Sequence, residues 1–233
     1  EQLLELGADA EAYLTEIVSR ESAGDIARPT LTNSRSDGTL HLSPALSPDG
    51  RQVAFFGEGS SWFVDLYLAD ANTGHVQRRL ASSSYSTNYE TFRFITSAVS
   101  WSPDGKRLAL VTKRGPKDDL VILDVKKNRE IRRIELPLNG ATTPDWSPDG
   151  RQLVFTGYDG GLSDLFVVDA DGKNLRRLTN DRYADLHPAW SPDGATIAFT
   201  TDRGPVTDFD RLVIGNMRIA TYDLGSGEIS ILP

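Results

Sequence analysis

The chain contains no cysteine, which excludes disulfide cross-links and thiol chemistry. Histidine is scarce: His41, His75 and His187 are the three present, and no two stand at the i and i+4 spacing of an H-E-x-x-H zinc site. There is no G-x-S-x-G elbow to carry a serine nucleophile. The Gly57-Glu58-Gly59 stretch lacks the lysine and the following helix of a phosphate loop, so it reads as a loop between strands. No apolar run approaches the length that crosses a bilayer. Positive charge is also short, with 25 Lys and Arg against 33 Asp and Glu in 233 residues and a net charge of −8. That balance opposes the basic face that nucleic acid requires and the attraction to anionic membranes. Neither a nucleic-acid partner nor membrane insertion is expected, and no cofactor is called for.

What the chain does have is a repeat. Ser-Pro-Asp-Gly occurs at Ser47, Ser102, Ser147 and Ser191, at intervals of 55, 45 and 44 residues. A period of that length in an all-β context is one propeller blade. A short apolar segment precedes each tetrapeptide, as in Val99-Ser100-Trp101 and Pro188-Ala189-Trp190. A β-rich run follows, such as Leu153-Val154-Phe155-Thr156. Proline presets φ, aspartate accepts from nearby backbone N–H groups, and glycine takes the positive φ that closes the turn. A third strand (Asp164-Leu165-Phe166-Val167 in the third repeat), a polar turn and a fourth strand complete each unit. The expected fold is all-β: a propeller of four-stranded antiparallel blades, four of them visible, over residues 26–233. Residues 1–25 read differently. Leu3, Leu6, Ala10, Tyr13, Leu14 and Ile17 recur at helical spacing, which predicts a short amphipathic α-helix and a linker, the tail of an upstream domain. No signal peptide is recognisable there.

The pattern W-S-P-D-G-(R/K), then an apolar strand, then D-L-(Y/F)-x-x-D, then a strand with Arg-Arg, resembles the TolB-like, WD-type β-propeller repeat of bacterial proteins. Blade one departs from it with Leu46 in the tryptophan position. Blade four has Arg218 where the others have Asp65, Asp119 and Asp164, and lacks the arginine pair. The resemblance implies a six-bladed ring of which these four blades are part, with Ile26–Thr32 as an outer strand of the last blade. It also implies a periplasmic or secreted setting.

The turn residues Asp49, Gly50, Asp104, Gly105, Asp149, Gly150, Asp193 and Gly194 recur because the turn recurs, and they read as structural rather than as a metal array. Asp65, Asp119 and Asp164 read as inter-blade hydrogen-bonding residues. The pairs Arg78-Arg79, Arg132-Arg133 and Arg176-Arg177 read as charge protecting the outer strand edges. His187, at an inner strand, is a channel ligand or a histidine hydrogen-bonded at the channel mouth. Strand order places two long insertions, 81–95 and 202–216, on the same face, opposite the Ser-Pro-Asp-Gly turns. One carries Tyr85, Tyr89, Phe92 and Arg93; the other carries Arg203, Asp208 and Phe209. Aromatics and arginine anchor interfaces.

The expected function is therefore a non-catalytic module that binds a protein or peptide through the insertion face. The alternative, from resemblance, is the accessory propeller of a bacterial zinc metallopeptidase whose catalytic domain lies upstream. A propeller-fold lyase is the third class.

Overall fold

The computed structural model describes residues 41–58, 64–82, 91–92 (backbone only) and 99–232. The helix expected at 1–25 and the strand expected at 26–32 lie outside these. Blade one comprises β1 (His41–Leu46), β2 (Gln52–Glu58), β3 (Val64–Asp70) and β4 (Val76–Ser82). In blade two the inner strand is split into β5 (Thr91–Phe92) and β6 (Ser100–Trp101), both paired with β7 (Arg107–Arg114), followed by β8 (Lys117–Asp124) and β9 (Arg129–Glu135). Blade three holds β10 (Gly140–Trp146), β11 (Gln152–Asp159), β12 (Leu162–Asp169) and β13 (Arg176–Arg177). Blade four holds β14 (Asp185–Trp190), β15 (Thr196–Thr201), β16 (Arg218–Asp223) and β17 (Ile229–Ile231). Each is an antiparallel meander in chain order, as the repeat predicts.

The middle strands of blades two and three are apolar at nearly every position because these blades are covered on both faces. Side chains alternate across a strand. On β7 and β8, Leu108, Leu110, Val121 and Leu123 face blade one, while Ala109, Val111, Leu120 and Ile122 face blade three. On β11 and β12, Leu153, Phe155, Phe166 and Val168 face back to blade two, and Val154, Leu165 and Val167 face on to blade four. The core is thus a row of face-to-face seams. Blade four completes the third seam with Ile197, Phe199 and Ala220. Its outward face differs: Ile219 stands in the register of Leu66, Leu120 and Leu165, all 0% exposed, yet is itself 55% exposed.

The Ser-Pro-Asp-Gly turns form as the sequence implies. In each, the serine Oγ donates to the aspartate Oδ1 at 2.6–2.7 Å, and that oxygen also accepts the N–H two residues on. Gly50, Gly105, Gly150 and Gly194 have φ of 66–71°. Three of these glycines also pack on the preceding blade's turn. The Cβ that Gly105, Gly150 or Gly194 lacks would lie 3.6–3.9 Å from Cδ of Pro48, Pro103 or Pro148. The turn motif therefore shapes a hairpin and stacks blades at once. The adjoining polar turns lie on the same face, tied to it by the Ala71, Val125, Ala170 and Leu224 N–H groups, which donate to Arg51, Lys106, Arg151 and Ala195 carbonyls.

Inner strands carry a second recurring device. Ser43, Thr143 and His187, each before a proline, have φ of 50–53° at a register shift against β2, β11 and β15. Non-glycine residues rarely adopt this backbone, so its recurrence marks a bulge belonging to the repeat. Just beyond it, Ser100 Oγ and Asp145 reach the next blade: Ser100 Oγ accepts the Trp146 N–H, and Asp145 Oδ2 accepts that of Trp190 at 2.9 Å. Ser100 also donates to Asp145 Oδ1 at 2.9 Å, so this carboxylate joins three blades. Burial pushes its carboxyl above the ordinary range, against the pull of these bonds.

The third-strand aspartates, expected to hydrogen-bond between blades, are paired within their own blades. Asp65, Asp119 and Asp164 form ion pairs with Arg79, Arg133 and Arg177 on the outer strand of their own blade, at 3.1, 2.9 and 2.5 Å. The second arginine of each pair thus folds inward onto a buried carboxylate instead of guarding an edge. A buried carboxylate without a cation would be strongly destabilising, and strand register brings this arginine over it.

Two expectations follow. Leu165→Ala should destabilise by about 2–5 kcal/mol, the range for a fully buried leucine. Ile219→Ala in the same register should cost under about 1 kcal/mol in urea titrations, because its side chain leaves solvent only in part. The pH dependence follows from the turns. Hydrogen bonds hold Asp49, Asp70, Asp149, Asp169, Asp171, Asp193 and Asp223 below the usual carboxylate range, and Asp104 too, though burial opposes them there. A lowered folded pKa contributes stability above the unfolded pKa and loses it as pH falls through the folded one. Asp145 and Asp164, both raised by burial, act in the opposite sense. The lowered groups outnumber them, so the urea midpoint should fall steadily below about pH 4.

Candidate functional site

The insertion face is represented by the 202–216 loop between β15 and β16. Its stem is built on Arg203. This side chain is buried and donates through Nη1 to Asp185 Oδ1 and Thr201 Oγ1, and through Nη2 to Asp181 Oδ2. Its guanidinium lies 5.0 Å from the Tyr183 ring centroid and 5.9 Å from that of Phe199. Bonds to Asp185 and Asp181 keep it firmly protonated despite burial. Tyr183 in turn meets Phe209 edge-on at 5.1 Å, and Arg182 lies 4.6 Å over the other ring. Asp202 accepts the Ala184 N–H at 2.8 Å, tying the loop to the link between blades three and four.

The loop closes on itself above this stem. Asp208 and Val213 exchange backbone hydrogen bonds of 2.8 and 2.9 Å, and the Asp208 carboxylate caps the Asp210 and Arg211 N–H groups. Thr207 Oγ1 donates to the Asp202 carbonyl and accepts from the Gly215 N–H. The enclosed turn puts Leu212 at φ 56°, backbone that disfavours a leucine. Large apolar side chains point outward from this rigid frame: Val206 is 63%, Leu212 84% and Ile214 58% exposed.

The expected anchors are therefore redistributed. Arg203 is interior and fixes the loop, since Asp185 beneath it is fully buried and needs a cation. Asp208 serves the turn, and Phe209 is half-buried between Arg182 and Tyr183. The backbone of Phe92 pairs with Thr112 in β5, so this residue belongs to an inner strand instead of a free loop. Tyr85, Tyr89 and Arg93 lie outside the described residues. Sequence reasoning missed Asp181, Tyr183 and Asp185. The signal was Arg218 in the third-strand aspartate position: with that acid gone, the buried ion pair of blade four moves to Asp185 and Arg203.

His187 is exposed on the inner strand. Its N–H donates to Thr156 Oγ1 at 3.2 Å, and Nδ1 lies 3.3 Å from Thr200 Oγ1. The Thr200 hydroxyl donates to the Leu186 carbonyl, which leaves its lone pairs to accept from Nδ1. That arrangement orients the imidazole; it does not activate the hydroxyl as a nucleophile. Among the described residues, no group of three or more His, Cys, Asp or Glu side chains is placed to hold a metal. Nor is any helix among them long and apolar enough to cross a membrane.

With the blades and their turns in place, comparison settles the family. Residues 28–161 and 138–211 match the TolB beta propeller domain, PD40. The chain belongs to the TolB propeller family. A TolB of Agrobacterium tumefaciens is 25% identical, with a TM-score of 0.64 over 81% of this chain and 63% of that one. The TolB of Acinetobacter baumannii is 24% identical, with a TM-score of 0.67 over 90% of this chain and 47% of the other. An oligogalacturonate lyase of Vibrio parahaemolyticus, 16% identical with a TM-score of 0.58, shares the fold over 87% of this chain and 56% of its own. The chain thus spans between about half and two-thirds of the length of these TolB structures. No curated protein matches it.

Removing Arg203 tests its structural role. Arg203→Ala leaves Asp185 buried and unpaired, which should cost about 3–5 kcal/mol in chemical denaturation. A loss below about 1 kcal/mol would mean that the ion pair does not hold the loop.

Proposed function

We propose that this TolB-family propeller binds a protein or peptide through its insertion face and carries out no chemistry there. One observation supports this above the others. The 202–216 loop is pinned by a buried ion-pair cluster and closed by its own backbone bridge, yet it holds Val206, Leu212 and Ile214 in solvent. Leucine at positive φ with its side chain in water is unfavourable on two counts. Apolar groups presented on a rigid frame bind with little ordering cost, the property expected of an interface anchor. His187, held by Thr156 and Thr200, supports a non-catalytic role, because among the described residues its ring meets only the Thr200 hydroxyl, which already donates to the Leu186 carbonyl. A periplasmic setting belongs to the same reading, in keeping with the TolB family.

Peptides selected from a displayed library on the wild-type chain should bind a Leu212→Ser, Ile214→Ser double variant at least about tenfold more weakly, the loss expected for two anchors. The melting temperature should stay within about 2 °C, since these side chains bury little on folding. Equal binding by the variant, or a much lower melting temperature, would overturn the proposal.

A further inference from the structure

The seam between blades three and four differs from the other two in the cations that cross it; Gln52 stands in the register of Arg107 in the first seam, but there Arg78 crosses instead. Between blades one and two, Arg78 on β4 crosses to the Val125 carbonyl at 2.5 Å, and the Trp101 indole N–H donates to the Ala45 carbonyl at 2.9 Å. Between blades two and three, the Arg107 guanidinium lies 4.5 Å over the Trp146 ring, with Nη2 3.5 Å from the Gly150 carbonyl. In the third seam the residue in the register of Arg107 is Gln152, whose amide is held at 2.8 Å by Asp169 of its own blade. The counterpart of Arg78 is Arg176, exposed on β13 beside the same Asp169.

The result is a cleft of about 320 Å³ on the Ser-Pro-Asp-Gly face, bounded by Trp190, Gln152, Asp149, Asp193, Gly194 and Arg176. Trp190 is only partly buried, whereas Trp146 is 4% exposed. The Nε1 atoms of Trp146 and Trp190 are both buried without a hydrogen-bond partner, so neither ring has the Ala45-type anchor of Trp101, and only Trp146 has a guanidinium over it. The charge pattern changes too. Asp49, Asp104 and Asp149 each stand two residues before a basic side chain, Arg51, Lys106 or Arg151, but Asp193 is followed by Ala195. Hydrogen bonds from Ser191 and Ala195 hold the Asp193 carboxyl below its ordinary range, so it is ionised at neutral pH. Compared with the seam between blades two and three, this one therefore lacks two cations, Gln152 standing for Arg107 and Ala195 for Arg151, and what remains is a partly exposed indole beside carboxylates.

We propose that this cleft receives an arginine side chain from a protein partner. Its guanidinium takes the place over Trp190 that Arg107 takes over Trp146, with Gly194 in the position of Gly150 and Asp193 as counter-charge. Arginine suits the site because its planar guanidinium stacks on indole while its edge donates to carboxylate and carbonyl oxygens. A lysine ammonium offers no such stacking plane. Arg176 is the cation among the lining side chains, and Asp169 beside it offsets its charge. The cleft lies on the opposite face from the 202–216 loop, so it is a second site and stands apart from the binding proposed there.

The probe is an acetylated, amidated Gly-Arg-Gly tripeptide titrated against the full chain by calorimetry, with its citrulline counterpart as the neutral isostere. Saturable binding at about millimolar concentration is expected for the arginine peptide, as for a single cation–π contact with one ion pair. The citrulline peptide should bind at least about tenfold more weakly, for want of charge. Gln152→Arg should abolish binding without lowering the melting temperature, because the new guanidinium fills the cleft as Arg107 fills its own. Asp193→Ala, an exposed change, should weaken it by about tenfold. The Leu212→Ser, Ile214→Ser variant should bind the peptide as the wild type does, which separates this site from the loop. Absence of saturable binding, equal binding of the citrulline peptide, or undiminished binding by Gln152→Arg and Asp193→Ala would each overturn the proposal.

Discussion

Blades two and three are apolar on both sides, and that constraint governs the rest. A sheet with one polar face can stand against solvent; a sheet carrying Leu108, Leu110, Val121 and Leu123 on one side and Ala109, Val111, Leu120 and Ile122 on the other cannot. Each blade is stable only as a layer between neighbours, so stability is shared through seams and no blade owns its core. The turn motif serves the same need. Gly105, Gly150 and Gly194 close their hairpins at positive φ, and their bare backbones rest on the prolines of the preceding turns. A side chain added there would be strained by the positive φ, although the prolines themselves leave room for a Cβ in ordinary contact.

Polar groups inside this stack are handled by pairing within a blade and hydrogen bonding between blades. Asp65, Asp119 and Asp164 each meet an arginine from their own outer strand, which closes a loop of charge across one sheet. Ser100 and Asp145 reach across seams to the backbone N–H groups of Trp146 and Trp190, so inner strands are tied where the sheets converge. Blade four breaks the first rule by placing Arg218 in the acidic position, and it restores neutrality with Asp185 and Arg203 from different elements. That displacement has a consequence for function. The relocated pair anchors the base of the 202–216 loop, so the same substitution that removes the regular ion pair supplies a rigid mount for an irregular surface.

Both binding surfaces proposed above lie where the surface departs from the repeat. The three seams share one plan, and at the cleft beside Trp190 Gln152 and Ala195 stand where blade two has Arg107 and Lys106. The exposed Leu212 and Ile214 exist because a loop was inserted between two strands that other blades join more tightly. Both lie where the repeat is broken, on opposite faces of the propeller. The fold tolerates such breaks because its stability resides in the seams.

The Ser-Pro-Asp-Gly spacing by itself determined the blade count in view, the strand order and which turns share a face, since those follow from local turn chemistry and period-two alternation. It also placed the capping roles of Asp49, Asp104, Asp149 and Asp193, because their partners lie within a few residues. Partners distant in sequence were decided only by the tertiary structure. Arg79, Arg133 and Arg177 looked like edge charges because nothing local shows that strand register lays them over Asp65, Asp119 and Asp164. Arg203 and Phe209 looked like interface anchors because their residue types suit interfaces, while burial by Asp185, Asp181, Tyr183 and Arg182 depends on how two loops meet. Whether a charged side chain faces water or a buried counter-charge is a property of the packed chain, since desolvation is felt only once neighbouring blades exclude the water.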